Sequence, residues 1–508
     1  MAGHNQTNTF AGAINDGAGT VSLVKRGTGV LQLNGNSTYS AGTTIHAGTL
    51  VSSAVLSAQT GAAAFANLAT GAVGTSEYMG LGTGPITLSG GTLQINSLRR
   101  DEHEDVDGLT NAFTFGPVGA GGYDITVSAQ NTFGLTNQSS KIHWTNTATW
   151  AAVNSLTISA PALSFDGSTD FGFFVRGATT LAGDTLLAVN RPVGLGGKLS
   201  GTGTSVITKV GAGLLYLTNS DAGAGANAGI ARWDILRDTG AIEVRMGDGT
   251  VSNPFVDNST IAINGSGLLN IRHEGNNLET YQRITTFQSN NLVFGNLAGP
   301  AEAGFLSSGN VNQLNVNRWG ANSSAQNKAI WFGNVSVGGA LSSPLAYFSG
   351  GNNYSVWVNG TTSGLKDLSI SIDNVAATLN GALSLPGTFL RYGNQPLYLN
   401  ADSTATHPGG TWLHSNTLFF GTAESLAYQT FEMNPTAKTG AGNILVQAGA
   451  VIQFNDDTNL GSGQTVDVRS SLINYGMLRL ASNDPLGSFR VRSGSAYGPQ
   501  PVLSAGGV

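Results

Sequence analysis

The sequence predicts an all-β solenoid, and three observations predict it: apolar residues alternate with polar ones over short segments, glycine and small polar residues separate those segments, and one strand-turn-strand phrase recurs along the chain. Alternation comes first. Val21/Leu23, Leu31/Leu33, Ile125/Val127, Leu215/Leu217, Ile242/Val244/Met246, Ile261/Ile263, Leu397/Leu399 and Val466/Val468 each place two or more apolar side chains on one side of an extended segment. Helical periodicity is nearly absent. Two stretches allow an exception: the Ala-rich residues Ser53 to Leu68 could form a short helix, and Asn227 to Asp238 fits a helical stripe about as well as alternation, with the strand favoured. Between the strands lie Gly, Asn, Asp, Ser and Thr, residues that accept positive φ or hydrogen-bond their own turn.

Composition narrows the function. The 508 residues include 72 Gly, 14 Pro and no Cys, with only 10% charged residues. Glycine follows no triplet period, which excludes collagen. Lys plus Arg number 23 against 29 Asp plus Glu, a net charge of −6, so there is no basic surface for nucleic acid. The absence of Cys removes disulfides, cysteine zinc sites and thiol nucleophiles. With 21 Phe, 12 Tyr and 7 Trp, the chain can build a core. No segment is long and apolar enough for a membrane-spanning helix. The opening residues lack the pattern of a signal peptide, and the Gly-rich end has no closing element. Residues 1–508 are therefore read as one solenoid cut from a larger protein.

The third observation is the repeat. The phrase Lys25-Arg-Gly27-Thr-Gly29-Val-Leu31-Gln-Leu33 recurs 184 residues on as Lys209-Val-Gly211-Ala-Gly213-Leu-Leu215-Tyr-Leu217. A worn copy is Leu390-Arg-Tyr-Gly393-Asn-Gln-Pro-Leu397-Tyr-Leu399. Its continuation, Gly409-Gly-Thr-Trp-Leu413-His414-Ser-Asn-Thr417-Leu418, echoes Ala41-Gly-Thr-Thr-Ile45-His46-Ala-Gly-Thr49-Leu50. The unit is strand, glycine corner, strand. Lys25, Gly27, Gly29, Leu31, Leu33, Lys209, Gly211, Gly213, Leu215 and Leu217 are its structural residues, with both Leu pairs expected in the core.

This phrase, most closely over 17–51 and also at 201–217 and 390–418, resembles the autotransporter-associated β-strand repeat of bacterial passenger domains. The resemblance implies a right-handed parallel β-helix displayed on or released from a Gram-negative cell, often within a longer polypeptide. It departs from the family in carrying no recognisable secretion signal or C-terminal translocator barrel. Coils of about 20–25 residues would give on the order of 20 coils, and a spacing of about 4.8 Å would give a rod on the order of 100 Å long. Each end would leave unpaired backbone groups, a template for another strand.

Candidate chemistry is sparse. Asp101, Glu102, Glu104, Asp105 and Asp107 form an acidic run that is weighed as a calcium site, but its spacing completes no EF-hand and a solvated loop is the ordinary reading of such a run. Seven His among many Ser specify no triad, and no nucleophile elbow is present. His46 and His414 occupy corresponding repeat positions, which points to turns. A polysaccharide lyase or hydrolase is the serious enzymatic alternative, with Asp166, Asp170, Asp234, Asp238, Glu243 and Asp248 as acids. Trp144, Trp150, Trp233, Trp319, Trp331, Trp357 and Trp412 offer flat faces to sugars, though core anchoring is the commoner role.

The expectation is a non-catalytic extracellular stalk or adhesive passenger segment without cofactor. Its partners would be neighbouring repeats, other copies end to end, or a host surface or glycan, with no nucleic acid and no membrane span. Insertions over 98–117 and 296–328 are expected to carry the contacts. A self-assembling filament or sheath subunit is the other alternative.

Overall fold

A computed structural model describes residues 6–53, 77–78, 80–96, 112–117, 121–128, 140–145, 150–167, 172–218, 227–236, 241–246, 253–265, 267–273, 282–295, 312–318, 324–338, 345–414, 416–420, 437–446, 450–454, 466–468, 477–480 and 502–505. The acidic run 101–107 and the Ala-rich stretch beyond Ser53 lie outside them, as do most of 98–117 and 296–328. The described residues form strands and turns, and every strand pairing among them is parallel. The chain is a parallel β-helix. It divides into two compact units, Met1–Asp257 and Asn258–Val508.

The first unit has three strand stacks. On its first face Leu23–Lys25, Thr43–Ile45, Ile86–Leu88, Asp124–Val127, Ser155–Ile158 and Thr179–Leu181 pair in succession. Its second face runs from Thr7–Phe10 through Val30–Leu33, Thr49–Ser52, Thr92–Asn96, Ser140–Thr145 and Ala162–Gly167 to Thr185–Val189. The third holds Ala112–Phe115, Trp150–Val153, Gly172–Val175, Val193–Leu195, Leu215–Leu217 and Ala241–Met246. Strand Leu199–Val210 turns a corner within itself, pairing with the first face at Leu199 and with the second at Ile207. The stretch 227–238 resolves as strand Ala228–Ile235, in keeping with alternation.

Register builds the core. Leu31, Leu50, Leu93, Ile142, Phe165 and Val189 stand directly above one another on the second face. All but Leu31 are buried, and each such apolar burial contributes roughly 1.5–3 kcal/mol. Leu33, Leu215 and Leu217 are core as expected, whereas Leu31 is only half-buried. The reason is its position: its neighbour on one side is Leu50, but on the other it is the polar Asn8 of the exposed strand Thr7–Phe10.

The second unit also has three stacks. One runs through Thr260–Ile263, Asn291–Phe294, Val335–Val337, Thr362–Gly364 and Leu383–Ser384. A second runs from Leu268–His273 through Leu368–Asp373, Phe389–Gly393 and Thr411–Leu413 to Val466–Val468. The third runs from Gln282–Ile284 through Lys328–Phe332, Ser355–Val358 and Leu397–Leu399 to Val502–Ala505.

Coil length varies while register persists. The Thr180 and Ser200 hydroxyls meet 20 residues apart, whereas the Asn291 and Asn334 side chains meet across 43. Extra residues are accommodated between strands, so the ladders continue across coils of unequal length.

Candidate functional site

The site most fully specified by the sequence is the corner that follows Lys25. Leu23–Lys25 and Val30–Leu33 lie on adjacent faces, and the chain turns between them at Gly27, whose φ is +76°. That conformation is costly for a residue with a Cβ. Lys25 does not point outward. It stands in register with Ile45, which continues into Leu88, Val127, Ile158 and Leu181, all buried apolar residues.

The ammonium is held by backbone oxygens. Lys25 Nζ donates to the carbonyls of Gly27 at 2.7 Å, Ala47 at 3.0 Å and Arg26 at 3.2 Å. Three donors thus meet three acceptors, which matches an ammonium's full capacity. Burial pushes the Lys25 ammonium below its ordinary pKa, while the three carbonyls favour its charged form. Gly48 of the following coil closes the cage: a Cβ there would lie 2.4 Å from the Gly27 and Gly29 oxygens and 2.6 Å from Lys25 Nζ. Gly29 has a further task, accepting the backbone N–H of Thr49 at 3.2 Å.

The second copy uses the same chemistry. Lys209 is buried, Gly211 turns at φ +86°, and Lys209 Nζ donates to the Gly211 carbonyl at 2.5 Å. Gly213 lies so close to the preceding coil that a Cβ would sit 2.4 Å from Arg191 N. The two copies nevertheless occupy different places around the coil. Lys25 leads from the first face to the second, whereas Lys209 leads from the second to the third. The phrase therefore marks a type of corner, not a fixed phase of the solenoid. Its requirements are local, so any corner can use it.

Sequence reading missed one member. In the worn copy Arg391 takes the place of Lys25, two residues before Gly393 at φ +101°, and it is fully buried. The signal was its spacing to that glycine. His414 stacks on Tyr392, with ring centroids 4.3 Å apart, in this part of the second unit.

Among the described residues, each candidate acid is matched to a cation. Asp166 accepts from Lys141 at 2.6 Å, Asp234 from Arg232 at 2.7 Å and Glu243 from Arg245 at 2.6 Å. Asp170, Asp238 and Asp248 lie outside the described residues. Ala162 pairs with Leu186, Leu186 with Thr208 and Thr208 with Asp234. Asp234 is thus three coils from Ala162, and Asp166 is four residues along that strand. Spacings of ~3.3 Å per residue and ~4.8 Å per coil put the two acids about 20 Å apart.

Most described tryptophans are buried. Trp331 and Trp357 stack in successive coils with ring centroids 4.9 Å apart, and the Arg283 guanidinium lies 3.5 Å from the Trp331 centroid. Trp150 and Trp233 are buried as well, whereas Trp412 is exposed. Trp144 lies on strand Ser140–Thr145, and Trp319 falls outside the described residues.

Residues 23–51, which hold the Lys25 corner and the coil that closes over it, match the passenger-associated-transport-repeat family. The chain carries an autotransporter passenger repeat. Curated proteins and solved structures give no match to it. The passenger repeat spans strands Leu23–Lys25, Val30–Leu33 and Thr43–Ile45 and reaches into Thr49–Ser52. It therefore contains a complete corner together with the coil that covers it.

Proposed function

We propose that this chain is a non-catalytic structural segment of a bacterial surface or secreted passenger, serving outside the cell as a stalk with adhesive insertions. The observation that carries this reading is the passenger repeat set within stacked parallel coils. Pairing of the acids supports it further. Glycosidase carboxyls are about 5–9.5 Å apart, whereas Asp166 and Asp234 are far beyond that range and each is matched to a cation. Contacts with a host surface or glycan would come from the longer inter-strand segments.

Incubation of the purified chain with a panel of acidic and neutral polysaccharides, followed by measurement of new reducing ends and unsaturated products, tests the non-catalytic part. No products are expected. Any turnover would overturn the reading, and its loss or survival in Asp166→Asn, Asp234→Asn and Glu243→Gln would place the enzyme at those acids or elsewhere in the chain. Binding of labelled protein to host cells, lost on trimming the longer insertions, tests the adhesive part.

A second reading, end-to-end self-association, is favoured by strand Thr7–Phe10. Among the described residues it pairs on one side only, and Phe10 is exposed. Such an edge templates another strand, whether of a second copy or of a neighbouring coil of the same polypeptide. Sedimentation and electron microscopy of dilute protein would show fibres if this edge is used, and single particles if it is not.

A further inference from the structure

Arg391 stands in an apolar ladder of the second unit, between Ile370 of the preceding coil and Leu413 of the next. It is completely buried, and its Nε, Nη1 and Nη2 have no hydrogen-bond partner. The contrast with Lys25 is instructive. In the same place before a corner glycine, the lysine ammonium ends within reach of three carbonyls. The longer, planar guanidinium makes no such bond.

Nearby groups do not compensate it. Asp373 acts on it electrostatically, but that carboxylate accepts from Tyr347 Oη at 2.9 Å and from the Asn394 backbone N–H at 3.1 Å. No ion pair joins Asp373 to Arg391 among the described residues. Thr411, the register partner of Phe389 and so a diagonal neighbour of Arg391, is also buried with its hydroxyl unpartnered. The guanidinium thus has no acceptor, and the inner face of the next coil carries a second unpartnered polar group. Burial lowers the guanidinium pKa only to about 10, so the group remains charged at neutral pH. Water would satisfy hydrogen bonds but leave the charge uncompensated in apolar surroundings.

We propose that Arg391 holds a small monovalent anion of the halide class inside the second unit, on the inner face that Thr411 of the next coil shares. The anion accepts the orphaned donors and cancels the charge, so it binds the folded state and not the unfolded chain.

The test uses the full chain, refolded from denaturant in sodium bromide and crystallised from it, together with thermal melts in bromide, chloride or gluconate at constant ionic strength. Expected are an anomalous peak within hydrogen-bonding distance of the Arg391 guanidinium and a halide-dependent rise in melting temperature of about 3–6 °C at a tenfold excess over Kd. Arg391→Met abolishes both and melts no lower than the parent in gluconate, because its removal strands no acceptor. Arg391→Lys, able to reach the corner carbonyls as Lys25 does, also loses the halide response and keeps the variant comparison usable should the Met protein not fold. The proposal is overturned if ordered water or a carboxylate of the chain occupies the guanidinium, if melts in halide and gluconate coincide, or if the halide response persists in Arg391→Lys.

Discussion

Replacing Lys25 by Met tests whether the corner cation is part of the fold or merely tolerated. The two side chains are similar in length, so the inner ladder beside Ile45 stays filled and the main change is loss of an ammonium from three carbonyls. Arg26 and Gly27 are exposed, and water can take over their oxygens. The bond to the Ala47 carbonyl is buried, and that acceptor would be stranded. An unsatisfied buried acceptor costs about 1–3 kcal/mol, and better apolar packing of Met offsets part of it. The expected net loss is therefore about 0.5–2.5 kcal/mol. For a unit of this size it lowers the melting temperature by about 1–10 °C. Urea and thermal melts followed by circular dichroism would measure it, with proteolysis mapping the loss to the coils around 23–51, since a solenoid responds locally. A Met variant as stable as the parent, with unchanged protease sensitivity, would refute the view that the carbonyl cage needs its cation.

Further perturbations test the same geometry. Gly48→Ala should cost more than Gly17→Ala, because a Cβ at Gly48 meets two carbonyls and the Lys25 ammonium at a φ of +68° while Gly17 has open space; paired melts compare them. Leu50→Ala should lose about 2–5 kcal/mol and Leu31→Ala distinctly less, since Leu50 is wholly buried and Leu31 only half so; denaturant midpoints decide the order. Burial raises the Tyr39 and Tyr216 phenols to about 12. The unfolded chain, ionising near pH 10, then binds fewer protons than the folded one, so stability should fall between about pH 10 and 12 by up to ~1.4 kcal/mol per pH unit for each tyrosine. Urea melts of Tyr39→Phe and Tyr216→Phe should show correspondingly shallower alkaline slopes. Burial lowers the His407 pKa, so its unfolded form protonates first and stability should fall as pH drops below about 6.5; His407→Gln should flatten that acid limb.

Much of this fold is written locally. Alternation identifies Leu33, Leu215 and Leu217 as inward-facing, because a strand sends successive side chains to opposite sides whatever it pairs with. The spacing of Lys25 to Gly27 and of Lys209 to Gly211 likewise encodes a corner, since a cation two residues before a positive-φ glycine can reach that residue's own carbonyl. Pairing between coils is a different matter. Coils of 20 and of 43 residues preserve the same stacking, so no fixed period in the sequence says which residues become neighbours. Only tertiary structure decided that the Lys25 and Lys209 corners lie between different faces, that Asn8 leaves Leu31 half-covered, that Asp166 and Asp234 stand apart, and that Arg391 is enclosed without an acceptor. Turn chemistry and strand periodicity act over a few residues and can be read from the chain, whereas register is set by which coil packs against which, a property of the assembled solenoid.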